Sequence, residues 1–229
     1  MDTIHARKLG LFYDTETTGL PLFKEPSEHP DQPHICQLGA ILVDMDTREE
    51  LEVLDEIIKP EGWTIPDDVA AIHGITTERA LADGLAARVV LERFLGMWAR
   101  GPQLVRAGFN ESFDARLVRI ALFRHFDQVT ADDWKGGLAH DVMPIVTPIC
   151  KLPPTAKMVA ARRGGQFKSP KLSEAYEHFF GEPLAGAHSA LVDVRATLRI
   201  HWHVTDNHPA TTPSLRTPRT SATSWEDAA

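Results

Sequence analysis

The stretch LGLFYDTETTGL, Leu9 to Leu20, restricts the fold more than any other part of the chain. Leu9, Leu11, Phe12 and Tyr13 make both faces of the segment apolar, and such a strand is stable only where layers cover it on both sides. The Thr-Thr-Gly that follows ends it as a turn. Residues two apart on a strand point to the same side, so Asp14 and Glu16 project together while Thr15 faces away. Two like charges at the mouth of a buried strand repel each other and lose hydration, so they call for a compensating charge. An isolated D-x-E more often marks a solvated turn. A functional reading therefore needs further acids that reach the same place from elsewhere in the chain.

The rest of the sequence supplies the covering layers. Ile35–Val43 and Leu51–Ile58 have strand composition and are joined by the short polar DMDTREE, which predicts an antiparallel hairpin. A short helix over Pro66–His73 begins on a proline and stops at Gly74. Leu85–Ala99 is predicted as a longer helix through Val89, Leu91, Phe94, Leu95 and Trp98. GPQLVRAGF follows as a strand, then a helix from about Glu111 to Phe126 with the apolar stripe Phe113, Leu117, Ile120 and Ala121. Prolines at 144, 148, 153, 154 and 170 make Gly136–Pro170 read as a partly mobile surface loop with one short helix at most. Lys171–Phe180 and Ala187–Trp202 read as helices, the second packing Leu191, Val194 and Leu198 on one side. Beyond His203, Pro, Ser and Thr dominate, so 1–203 is expected to be one domain and 204–229 a disordered tail.

Charge and composition narrow the function. Lys and Arg number 24 against 32 Asp and Glu, a formal net charge of −8, which argues against nonspecific coating of nucleic acid. Lys151, Lys157, Arg162, Arg163, Lys168 and Lys171 nevertheless form a basic segment with no acid between them. Such a segment is either a solvated loop or a guide for a phosphate backbone. Cys36 and Cys150 are far apart and lack the spacing of a zinc site or disulfide framework. In GGQFKS, Gly164–Ser169, no glycine precedes Lys168 and no clear strand leads in, so an ATP-binding phosphate loop is not indicated. No run approaches the roughly 18 apolar residues of a membrane span, and the N-terminus lacks the apolar core of a signal peptide. The expected location is cytoplasmic, without a membrane partner.

Two further acids and a histidine are placed to join Asp14 and Glu16. In AGFNESFDARL, Asn110 follows a strand as a helix cap, and Asp114 lies about one turn inside the helix, pointing toward the end of the sheet. In GAHSALVDVRAT, Asp193 lies between the small Ala190 and Thr197, with room for an ion beside its carboxylate. His188 precedes it by five residues, about 140° around an ideal helix. It therefore belongs to the loop-to-helix junction and approaches from another direction.

The motifs DTETTGL, NESFD and HSALVD occur in this order, joined by AAIHGIT and KLSEAYEHFFGEPLAGAHSALVDVRAT. On these residues the chain, from about 8 to 202, resembles the DEDDh 3′–5′ exonucleases, a family that includes the proofreading epsilon subunit of bacterial DNA polymerase III and stand-alone relatives. It departs from the family at Phe109 and Glu111, where His and Ala are frequent, and at Gln37, where many members carry Glu. None of these changes removes a carboxylate of the set.

The resemblance implies an α/β, ribonuclease H-like fold: a mixed five-stranded sheet flanked by helices on both faces, its first three strands antiparallel neighbours and its fifth around Gly137–Asp141. It implies hydrolysis of phosphodiester bonds from the 3′ end of a single strand, DNA ahead of RNA, with release of nucleoside 5′-monophosphates. A proofreading role would require a DNA polymerase as partner in trans. By the same resemblance Asp14, Glu16, Asp114 and Asp193 hold two divalent ions, Mg²⁺ or Mn²⁺, for which hard oxygen ligands are suited. Asp14 bridges, Glu16 and Asp193 serve the nucleophile-side ion, and Asp114 serves the other. His188 is the general base. Thr17, Leu20 and His73 contact the terminal nucleotide. Apart from the resemblance, Asn110, Phe113 and, from the basic segment, Arg162 and Arg163 are candidates for further substrate contact, the arginines with a solvated loop as their alternative. Phe113 has a core role on the apolar stripe as its alternative.

Overall fold

In the computed structural model, which describes residues 7–101 and 104–209, Leu9–Thr17 forms β1 at the centre of a five-stranded sheet. Leu11, Phe12 and Tyr13 are each at most 1% exposed, the double covering that their apolar run requires. Antiparallel to β1 runs β2 (Ile35–Asp44), buried along its whole length, and β3 (Glu50–Ile57) completes the hairpin at the edge. On the other side, β4 (Val105–Gly108) and β5 (Ala139–Asp141) are parallel to β1, giving the order β3-β2-β1-β4-β5.

Between β3 and β4 come α1 (Asp67–His73), α2 (Thr77–Asp83) and α3 (Ala87–Trp98). After β4 follow α4 (Glu111–His125) and α5 (Gln128–Gly136). Leu11 and Tyr13 of β1 point into a core built with Val90 and Phe94 of α3, Leu117 and Leu122 of α4, and Trp134 of α5. Burying each such side chain contributes about 1.5–3 kcal/mol. Phe12 points the opposite way, joining Ile41 and Val43 of β2. The last helix covers that face with Val194 and Leu198. Helices therefore lie on both faces, and the alternation along β1 assigns Tyr13 and Thr15 to one layer and Asp14 and Glu16 to the other.

The segment from Gly136 to Pro170 is not the loop its prolines suggest. Besides β5 it holds α6 (Val142–Cys150) and α7 (Ala156–Ala160). Pro144 falls in the first turn of α6, where a missing N–H costs no intrahelical bond. Val142, Ile145, Val146 and Cys150 are buried against Ala175 of α8 (Leu172–Phe180) and Ile200 of α9 (Ala190–Asn207). Burial of an apolar face thus outweighs the breaker signal. Leu85, expected inside α3, instead pairs with Ile58 as an isolated bridge, so the helix starts at Ala87. The last helix continues to Asn207, past the domain edge expected at 203, because Val204 is buried in the same core. The expected tail from 210 onward lies outside the described residues. Among the described residues, no helix is long and apolar enough to cross a membrane.

Candidate active site

Asp14 and Glu16 lie where β1 pairs with Gly39 and Gln37 of β2. A Cβ on Gly39 would come within 2.6 Å of the Leu191 nitrogen and 2.7 Å of the Ala190 carbonyl carbon. Only glycine lets the start of α9 rest directly on β2. Ser189 does not cap that helix with its side chain. Gln37 does so from the strand: its Oε1 accepts the Ala190 N–H at 3.2 Å, while its Nε2 donates to Asp55 Oδ1 at 2.7 Å. One otherwise unsatisfied helix N–H is thereby paired, and Asp193, in the first turn of α9, is brought to β1.

His188 stands just before the helix in a left-handed conformation, φ 67°. Its amide donates to Asp193 Oδ2 at 3.2 Å. Glu16, His188 and Asp193 each offer a ligand atom within 4.8 Å of the others. The junction position demanded by the five-residue spacing is thus the one observed, with the imidazole exposed.

Asp114 arrives from the opposite layer. It is 3% exposed, and its Oδ1 accepts from the Thr15 amide at 3.0 Å and the Thr15 hydroxyl at 2.6 Å. Thr15 faces away from Asp14 and Glu16, as the strand period requires, and uses that direction to hold the third acid. Asn110 does not cap α4 with its side chain. Its φ of 66° and ψ of 46° are left-handed, whereas a side-chain cap needs extended backbone. Asp141 takes over part of that task, accepting the Asn110 amide at 2.9 Å and the Met143 amide at 3.0 Å.

The acids are electrostatically loaded. Burial raises the Asp14 pKa well above the carboxylate range, and the charges of Asp114, Asp193 and Glu16 raise it further. Asp114 is pushed to about 8, mainly by burial, against the hydrogen bonds from Thr15 and with added repulsion from Glu111 and Glu16. Glu16 is pushed to about 7 by burial and then by Asp193. Asp193 reaches about 6 through burial, opposed by the amide and charge of His188. No lysine or arginine is among these causes. Asp193 Oδ1 is also buried without a hydrogen-bond partner, an arrangement that costs free energy unless something else satisfies the oxygen. Hard oxygen donors of uncompensated charge fit a divalent cation.

Other expected contacts are placed unevenly. Leu20 is 74% exposed. Thr17 is buried, and its hydroxyl donates to the Gly19 carbonyl at 2.8 Å, inside the turn. His73 is buried with Nδ1 accepting the Ile75 amide at 3.1 Å. Burial lowers its pKa, the Thr17 backbone opposes this, and His188 lowers it further, which sets His73 beside both residues. Phe113 packs, partly buried, against the α3–α4 core, in keeping with its place on the apolar stripe. Arg162 and Arg163 are exposed after α7, and their guanidinium groups make no hydrogen bond or ion pair among the described residues.

Residues missed by the sequence reading are Gln37 as cap, Gly39 as seat, Thr15 as holder and Asp141 as anchor. In the sequence Gln37 shows only as a departure from a family pattern, Thr15 only as the residue between two acids, and Asp141 only as the end of the fifth strand.

A mixed sheet with acids from β1, α4 and α9 beside an exposed histidine defines a nuclease-type α/β protein. The family model described as RNase_T, exonuclease, matches residues 11–201, and the chain belongs to this exonuclease family. Solved structures share its fold. Escherichia coli exonuclease I with a dT13 oligonucleotide gives a TM-score of 0.71 at 22% identity, covering 89% of this chain and 42% of that one. Its dA16 complex gives 0.68 at 22% identity, covering 90% and 42%. The zinc-bound form of the E. coli enzyme with single-stranded DNA gives 0.67 at 23% identity, again covering 90% and 42%. The chain therefore spans less than half the length of these structures. No curated protein matches the sequence.

Proposed function

We propose that this chain is a metal-dependent 3′–5′ exonuclease that removes nucleoside 5′-monophosphates from single-stranded DNA. The observation that carries the reading is the group of four buried or half-buried carboxylates brought near one another by β1, α4 and α9, with no lysine or arginine among the charges acting on them and only His188 beside Asp193. Asp14 would hold two Mg²⁺ or Mn²⁺ ions, Glu16 and Asp193 one of them, and Asp114 the other. Such a pair, when bound, offsets the charge of the scissile phosphate and of the departing 3′-oxygen.

The protein's own groups account for the remaining steps. His188, exposed beside Glu16 and Asp193, takes the proton of the attacking water, a task suited to imidazole. Thr15 and Gln37 fix the acids before substrate arrives, so little reorganisation is needed. Leu20 offers an apolar surface to the terminal base, while His73 and the Thr17 turn form the floor beside it. Arg162 and Arg163 draw the phosphate backbone toward an otherwise acidic body.

Single-stranded DNA and RNA of one sequence, labelled at the 5′ end, test this in Mg²⁺ or Mn²⁺. The expected result is a ladder shortening from the 3′ end, faster for DNA and abolished by EDTA. Faster RNA trimming would replace the DNA assignment. No shortening of either strand would refute the activity.

A further inference from the structure

We infer that Glu111, acting through Arg106 and Tyr13, is a positioning residue that determines where Asp114 delivers its carboxylate. The inference rests on the exonuclease reading above. Glu111 and Asp114 are three apart on α4 and share a face, while Tyr13 and Thr15 are two apart on β1 and share a face. The Tyr13 hydroxyl donates to Glu111 Oε1 at 2.7 Å, and Thr15 donates twice to Asp114 Oδ1. Helix and strand are thus joined by two rungs. With one rung α4 could pivot about it; the second fixes both its rotation and its advance along β1.

The first rung is itself anchored. Arg106 Nε of β4 lies 2.7 Å from Glu111 Oε1 in an ion pair buried on both sides. Its guanidinium donates to the Trp134 carbonyl and stacks 4.6 Å from the Trp134 ring centroid, which ties it to α5. A Cβ on Gly108 would meet the Tyr13 carbonyl oxygen at 3.3 Å and the Glu111 Cα at 3.4 Å, so the start of α4 lies closely on β1. The Asn110 side chain gives the helix no cap; Asp141 holds the backbone entering it, and the Glu111 rung adds the side-chain restraint on its first turn. An alanine at position 111 would fill less space, accept nothing from Tyr13 and leave Arg106 without its counter-charge.

Because Glu111→Ala strands a buried arginine, the informative variant is the double change Arg106→Met with Glu111→Leu, which exchanges the ion pair for apolar groups of similar volume. The expected result is a melting temperature somewhat below that of the wild type, because the buried Tyr13 hydroxyl loses its acceptor, with Mn²⁺ affinity and kcat on single-stranded DNA reduced about 10- to 100-fold and KM little changed. Glu111→Gln, which keeps the acceptor oxygen, should recover most of the loss. A well-folded double variant with wild-type kcat and Mn²⁺ affinity overturns the inference. Should that variant not fold, Tyr13→Phe removes the rung and keeps the ion pair; a severalfold fall in kcat at unchanged KM supports the role, and none overturns it. A wild type that neither binds Mn²⁺ nor shortens the strand overturns the exonuclease reading and this inference with it.

Discussion

Glu111 and Asp114 sit one turn apart on α4, exposed to only 4% and 3%, and they are compensated in opposite ways. Burial raises the pKa of Glu111, but the Arg106 charge and the Tyr13 hydroxyl pull it back. Asp114 receives only the neutral groups of Thr15 and faces further acids, so its pKa stands at about 8. Where a carboxylate ties elements together, the chain provides its own cation. Where four carboxylates come together, it provides no lysine or arginine, only His188 beside Asp193, and removing one of these acids should help the bare protein while removing its activity.

The strongest test of that contrast pairs Asp14→Asn with Glu111→Ala. Asp14→Asn should lower turnover by about 10³-fold or more, the scale of several kcal/mol at one decade per 1.4 kcal/mol. In EDTA the same change should raise the melting temperature, because like-charge repulsion is relieved. Glu111→Ala should instead lower stability by about 3–5 kcal/mol, since Arg106 is left buried and unpaired. Calorimetric melts moving in the same direction for both variants would erase the distinction.

His188→Ala should come next in size. Turnover is expected to fall by about 10²- to 10⁴-fold, as for a lost general base, with Mn²⁺ binding largely kept; equal single-turnover rates would remove His188 from the mechanism.

A pH series sharpens the comparison without mutation. The folded pKa values of about 7 for Glu16 and about 8 for Asp114 exceed the unfolded carboxylate value near 4. The folded chain therefore holds more protons than the unfolded one in this range, and stability falls as pH rises through 7 and 8. Half-buried His34 and buried His140 and His201, lowered to about 4, 4 and 3 chiefly by desolvation, act in the opposite sense at lower pH. The useful window is therefore pH 7 to 8, below the range where the thiols of Cys36 and Cys150, raised by burial to about 12 and about 11, add a decline of their own; there melting in EDTA should decline and Mn²⁺ should flatten the decline. A metal-free melting temperature that climbs from pH 7 to 8 would contradict the assignment. Smallest is Thr15→Val, which removes the hydroxyl bond to Asp114 but keeps the amide. It should cost about 1 kcal/mol and reduce kcat by about tenfold, measured on the same labelled strand.

The sequence revealed those parts of the fold whose cause is local. The apolar run of β1, the β2–β3 hairpin and the stripes of α4 and α9 have periods of two or 3.6 that survive in any context. Asp14, Glu16, Asp114, His188 and Asp193 are legible only as a set, through the order of the motifs DTETTGL, NESFD and HSALVD, since each alone reads as a solvated, capping or structural residue. What supports them was hidden, since Gln37 reaches Ala190 across 153 positions and Thr15 reaches Asp114 across 99. No periodicity records such pairs. The left-handed turn at Asn110 likewise made an ordinary cap signal misleading, and the prolines of α6 concealed a helix that buries its apolar face.

The central claim is most directly tested by calorimetric titration of Mn²⁺ into the wild-type protein with a single-stranded oligonucleotide, at pH 7 and in buffers of different ionisation enthalpy. The carboxyl groups of Glu16 and Asp114 are partly protonated there, so ion uptake should release protons, and Asp14→Asn should abolish most of the signal. Absence of uptake, or equal uptake by the variant, would show that these acids do not form a cation site.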